Sequence, residues 1–170
     1  KYLEVDTKII SNTTSWKELI DEQIDGLVLS GGAPRIGLEN KLGNCKEYLS
    51  KAHIPILGIC AGHQFMSRFF GGDVKPSKIP EFGKVTLSLI AGENPLFLHV
   101  PKKSIVWESH NDEIVNLPSC MTHLAKSENC QYQAIMHKEK PFFGLQFHPE
   151  VNNTEYGEQI FKNFIRLCQQ

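Results

Sequence analysis

The sequence predicts an α/β protein of three layers: a mostly parallel central sheet flanked by helices, with an antiparallel extension toward the C-terminus. Three observations carry this. Between Val5 and Gly72 short apolar runs alternate with helix signals, the pattern of buried parallel strands joined by crossover helices. After Gly72 the texture changes to brief strand-like runs separated by turn residues, several close enough in sequence to pair antiparallel. From Tyr156 to Cys168 the apolar residues Ile160, Phe161, Phe164, Ile165 and Leu167 form one stripe, as expected of a helix covering a sheet.

Taken in order, Val5 to Ile10 reads as a strand, and Ser15-Trp16-Lys17-Glu18 as a capping box opening a short helix. Asp25 to Leu29 is a second, buried strand that stops at Ser30-Gly31-Gly32-Ala33-Pro34, where glycines allow close backbone approach. A helix near Cys45–Lys51 leads into Pro55-Ile56-Leu57-Gly58-Ile59-Cys60-Ala61-Gly62. There the period changes from strand to helix, with Phe65, Met66, Phe69 and Phe70 at helical spacing and Gly71 as the stop. Beyond it, Val85–Ile90, Ile105–Ser109, Met121–Ser127, Tyr132–Met136 and Phe142–Phe147 are strand candidates. The last two are expected to pair across Lys138-Glu139-Lys140-Pro141, and Ser109–Asp112 is expected to turn.

Cys60 sits at the strand-to-helix junction between small residues, which let the chain bend sharply and expose the side chain. The positive end of the following helix favours a thiolate there, so the segment reads as a cysteine nucleophile elbow. Such a nucleophile needs a base, and the base needs an orienting group. Gln146-Phe147-His148-Pro149-Glu150 supplies both: Pro149 biases His148 to extended backbone, and residues two apart then point the same way. Glu150 fixes one imidazole nitrogen and the other faces Cys60. The N–H groups of Gly32 and Ala61 are candidates for an oxyanion hole.

The chain has 170 residues, 41% hydrophobic and 22% charged, with formal net charge −1. That fits one domain spanning 1–170, with no basic face for nucleic acid and no apolar run of membrane length. With no leader recognisable in this stretch, the expected location is cytoplasmic. Five cysteines, an odd number without a Cys-x-x-Cys pair, argue against a disulfide framework or structural zinc. The histidines outside the motifs lack ligand spacing, so no metal site is expected.

Leu29-Ser30-Gly31-Gly32, Gly58-Ile59-Cys60-Ala61-Gly62-His63-Gln64 and Gln146-Phe147-His148-Pro149-Glu150 together resemble the three signatures of class I glutamine amidotransferases. Pro80-Glu81-Phe82-Gly83, Glu108-Ser109-His110-Asn111-Asp112-Glu113 and Ser127-Glu128-Asn129-Cys130 narrow the resemblance to the free-standing archaeal glutaminase subunits of GMP synthetase. The resemblance implies a flavodoxin-like sheet and hydrolysis of L-glutamine through a Cys60–His148–Glu150 triad and a glutamyl thioester. It implies substrate contacts from Gln64, Ser109, His110 and Asn111, and coupling to the partner through His110 and Asp112. Ammonia would pass to an ATP-pyrophosphatase subunit that converts XMP to GMP with ATP and magnesium; no cofactor is expected in this chain. The alternatives are service to anthranilate or carbamoyl phosphate synthesis, or a non-catalytic regulatory module of the same fold. Two departures stand out. Asn111 replaces a common glycine, and nothing before Lys1 supplies the family's first central strand and helix, so the domain is expected to lack them.

Overall fold

A computed structural model describes the chain apart from residues 1, 2, 4, 40 and 91. Its strands are β1 (Leu27–Leu29), β2 (Ile56–Ile59), β3 (Asp73–Leu89), β4 (Lys103–Asn116), β5 (Met121–Lys126), β6 (Ala134–His137) and β7 (Phe142–Leu145). Its helices are α1 (Trp16–Asp21), α2 (Cys45–Lys51), α3 (Ala61–Phe69) and α4 (Gly157–Cys168). One seven-stranded sheet runs in the order β1-β2-β7-β6-β5-β3-β4. β1, β2 and β7 are parallel, and every later pairing is antiparallel. The predicted α/β architecture, parallel first and antiparallel after, is the one found.

The strand period divides the core between two faces. Ile56 packs with Leu49 of α2 and Phe65 and Met66 of α3, whereas Leu57 and Ile59 pack with Leu96, Ile160 and Phe164 on the α4 side. Each fully buried aliphatic side chain of this kind contributes about 1.5–3 kcal/mol over an exposed one. α1 opens on the expected capping box, with Glu18 N–H donating to Ser15 Oγ (3.3 Å) and Ser15 N–H to Glu18 Oε2 (2.9 Å). The β6–β7 pair closes across residues 138–141 as its spacing predicts.

Three expectations are corrected. Residues 5–10 form no strand: Ile9 is fully exposed, and the only strand paired with β1 among the described residues is β2. Alternating side chains make a strand only when a neighbouring backbone takes up the hydrogen bonds. Val85–Ile90 and Ile105–Ser109 are pieces of much longer strands, 17 and 14 residues, paired as a ribbon at the far edge of the sheet. Ser109–Asp112 therefore lies inside a strand and is not a turn. The irregularity is on β3, where four residues between Pro76 and Glu81 lie opposite Asn111 alone. That bulge takes in Pro80 and begins just after Pro76, neither of which has an N–H to donate to a regular ladder. Asn111 keeps negative φ, so its replacement of glycine carries no backbone strain.

Among the described residues no helix is long and apolar enough to cross a membrane.

Candidate active site

The elbow forms as its sequence predicts. Cys60 N–H donates to Leu145 C=O of β7 (2.8 Å), carrying the sheet one residue past β2. The backbone then turns through φ 50°, ψ −105° at Cys60, and α3 begins at Ala61. The first intrahelical bond runs from Gln64 N–H to Cys60 C=O (3.0 Å), so the N–H groups of Ala61, Gly62 and His63 have no acceptor inside the helix. The Ala61 N–H is thus placed beside the sulfur with its hydrogen unspent by the helix.

β7 delivers His148 to the same end of the sheet. His148 N–H donates to Trp107 C=O (3.0 Å), and its C=O accepts from Thr154 Oγ1 (2.6 Å). Thr154 Oγ1 also accepts from Trp107 N–H (3.0 Å), so β4 and the segment before α4 both fix this backbone. On the imidazole, Nδ1 donates to Glu150 Oε1 (2.7 Å), while the buried Nε2, on the Cys60 side, makes no hydrogen bond. Interaction with Cys60 and then with Glu150 outweighs burial and raises His148 to about 10. Burial works to raise the Glu150 carboxyl, but the bond from His148 holds it below the ordinary range.

Gly31 closes the third side. A β-carbon there would lie 3.2 Å from Cys60 Cβ and 3.3 Å from His148 Cε1, so the loop backbone fills the space where these two residues meet. Gly32 follows, with only Pro34 Cδ near its β position. The loop is held at its far end by Arg35, whose guanidinium donates to both oxygens of Asp112 (2.6–3.0 Å), and by Gly37 N–H, which donates to Asp112 Oδ2 (3.1 Å). Burial alone would raise Asp112; the bonds from Arg35 and Gly37 lower it.

The remaining motif residues divide. The Ser109 carbonyl accepts from Cys60 Sγ (3.9 Å), and Ser109 and Asn111 are exposed. Gln64 is buried, its amide donating to Asp112 C=O (2.7 Å) and Gln146 Oε1 (3.0 Å). His110 and Asp112 are only 2% and 3% exposed. Both side chains face inward, so neither itself presents a surface to a partner, and the substrate contact expected of residues 109–111 falls to their backbone. Inward-facing positions alternate along β4, and His110 and Asp112 are the polar ones that fall in the stretch expected to turn.

His110 instead belongs to a buried polar network that the sequence reading missed. Its Nδ1 meets Asp112 C=O (3.0 Å) and its Nε2 meets Glu81 Oε2 (3.2 Å). Glu81 also accepts from Ser127 Oγ (2.8 Å) and Gln133 Nε2 (2.8 Å); burial works to raise its carboxyl, and the bonds from His110 and then Ser127 hold it low. Donor atoms of Glu81, His110 and Cys130 lie within 4.8 Å of one another. Glu81 already accepts bonds from three side chains, so the cluster stands here as a hydrogen-bond network.

Glu108, fully buried, has no hydrogen-bond partner on either oxygen, and His110 Nε2 lies 3.6 Å away. Burial and then the charge of Glu81 raise its carboxyl well above 4.5. The folded chain therefore binds a proton that the unfolded chain releases. Its contribution to stability is greatest below about pH 4.5 and is lost as pH rises through the raised folded value. Glu108→Gln, which keeps the shape without the charge, is expected to flatten the fall in stability between pH 5 and pH 8, measured by urea unfolding. An unchanged fall would place the titrating group elsewhere.

The family described as glutamine amidotransferase class-I matches residues 1–168. A glutamine-hydrolyzing GMP synthase subunit of Thermoplasma acidophilum is 50% identical over 167 residues, covering 98% of this chain and 82% of that protein. Its counterpart of the same name from Thermoplasma volcanium is 47% identical, covering 99% and 82%. A crystal structure described as that of a GMP synthase subunit from T. acidophilum superposes with a TM-score of 0.90 at 49% identity, covering 97% of this chain and 82% of the other.

Proposed function

The chain belongs to the class I glutamine amidotransferases, and from that premise we propose that it is the glutaminase subunit of a GMP synthase. The observation that carries the chemistry is the imidazole of His148, bonded to Glu150 on one side and facing Cys60 on the other. The half and near-half identity to proteins named as glutamine-hydrolyzing GMP synthase subunits carries the choice of acceptor reaction.

The thiolate of Cys60 attacks the side-chain amide carbon of L-glutamine, and the carbonyl oxygen takes up negative charge. N–H groups at Ala61 and in the Gly31–Gly32 loop stabilise that oxygen, each good donor contributing about 3 kcal/mol. The carbon–nitrogen bond then breaks, the leaving nitrogen takes the His148 proton and departs as ammonia, and a glutamyl thioester remains on Cys60. Water, deprotonated by His148, attacks the thioester; glutamate leaves and the thiolate returns. Glu150 holds the imidazole tautomer and its orientation throughout. Ammonia then passes to a synthetase subunit, where ATP and magnesium convert XMP to GMP.

The partner surface is better sought on the ribbon than at His110. Phe82, 62% exposed on β3, stands opposite Ser109 in the β4 register, and Ile79 beside it is 57% exposed. Apolar side chains left exposed at the mouth of a site are what a docking subunit would cover.

The test is glutamate release from glutamine by the chain alone and with an XMP-loaded, MgATP-supplied synthetase subunit. Release is expected to rise with the synthetase and to be matched by GMP. Release coupled to a chorismate-dependent synthase instead would move the chain to another acceptor, and no release with any of them would end the enzymatic reading.

A further inference from the structure

We propose that Gln146 adds to what holds the Cys60 sulfur in its charged form, through an amide N–H···S bond oriented by Gln64. The proposal rests on Cys60 being the nucleophile.

The geometry leaves the two amides no choice of orientation. Gln64 reaches the backbone carbonyl of Asp112 at 2.7 Å, and a carbonyl only accepts, so the Gln64 atom there is its NH2 group. That same nitrogen lies 3.0 Å from the Gln146 side chain, whose facing atom must therefore be its oxygen. The Gln146 nitrogen is left pointing at Cys60 Sγ, 3.7 Å away. Gln146 is fully buried, and a buried amide N–H without an acceptor is costly, so the sulfur is the partner that satisfies it.

The sulfur has a second neighbour, a backbone group with the opposite preference. The Ser109 carbonyl, at 3.9 Å, can receive a proton from the thiol but repels a thiolate. The side chain of Gln146 is neutral, so it favours the thiolate without competing with His148 for a proton. Loss of the amide would remove one donor that opposes the carbonyl and shift the sulfur toward its protonated form. A cationic donor in the same place would stabilise the thiolate too, at the cost of another buried charge.

The experiment follows iodoacetamide alkylation of Cys60 against pH, with the modified peptide quantified so that the other four cysteines do not contribute. In Gln146→Leu the midpoint is expected to rise, with alkylation below it about tenfold slower, the scale of one hydrogen bond to a charged group. Gln146→Glu is the second variant. It keeps an acceptor for Gln64, which protects the fold, but turns an oxygen toward the sulfur; its midpoint is expected to rise further. A purely structural role would lower the melting temperature and leave the midpoint in place. Variants that melt normally and alkylate with the wild-type profile would overturn the proposal. A wild-type Cys60 that reacts no faster than the half-buried Cys120 and Cys168 would instead overturn the nucleophile assignment beneath it.

Discussion

Cys60→Ala is expected to lower glutamine hydrolysis by at least about 10⁴-fold, because no other group near His148 can form the acyl intermediate. The side chain is small and adds little to the core, so the melting temperature should stay within a few degrees. Ammonia-driven GMP formation by the synthetase subunit should continue in the presence of the variant, since that step does not use the sulfur. The same substitution removes the foremost cause of the raised His148 pKa, and the imidazole is expected to titrate well below 10, followed by NMR. Retained glutaminase activity in the variant would remove Cys60 from the mechanism.

Gly62→Ala is expected to be among the most damaging single-methyl changes to the fold. A β-carbon at residue 62 would lie 2.2 Å from Leu29 C=O and 2.9 Å from Leu29 Cβ, so the contact is with the rigid backbone of β1. The opposite glycine is equally close, with Gly62 C and O 2.7 Å from the β position of Gly58. α3 can therefore approach β1 and β2 only because both residues lack side chains. Relief requires the helix to move off the sheet, at a cost of about 3 kcal/mol or more. In a domain of this size that corresponds to a fall in melting temperature of roughly 6–12 °C. Gly92→Ala, with nothing within 4 Å and no unusual φ, serves as the neutral comparison. A Gly62→Ala protein as stable as the Gly92→Ala protein would mean that α3 is not so tightly seated.

What the sequence disclosed and what it withheld follow a physical line. The elbow, the His148–Glu150 pair, the capping box of α1, the bounds of α2 and the stripe of α4 are written in residues within a few positions of one another. The β3–β4 ribbon was obscured because Pro76, Pro80 and Gly83 punctuate β3, and because β4 turns Ser104, Glu108, His110 and Asp112 inward among its apolar residues. Polar side chains on the buried face read as loop until their partners are known. Those partners are distant: Arg35 is 77 positions from Asp112, and Gln64 is 82 from Gln146. Residues 5–10 mislead in the other direction, since alternation describes a strand's faces but not whether another backbone lies beside it. Gln146 stood within a recognised motif, yet its neighbour in space, the sulfur, could only be found by folding the chain.

The dihedral angles at Cys60 have a consequence for the economy of the whole protein. A residue with a side chain is held at φ 50°, ψ −105°, a region glycine occupies freely and others enter at about 1–3 kcal/mol. The resting fold thus gives up stability at the one residue it needs for chemistry. Robustness alone would place glycine there, and a cysteine in that position marks how far reactivity is favoured over repose.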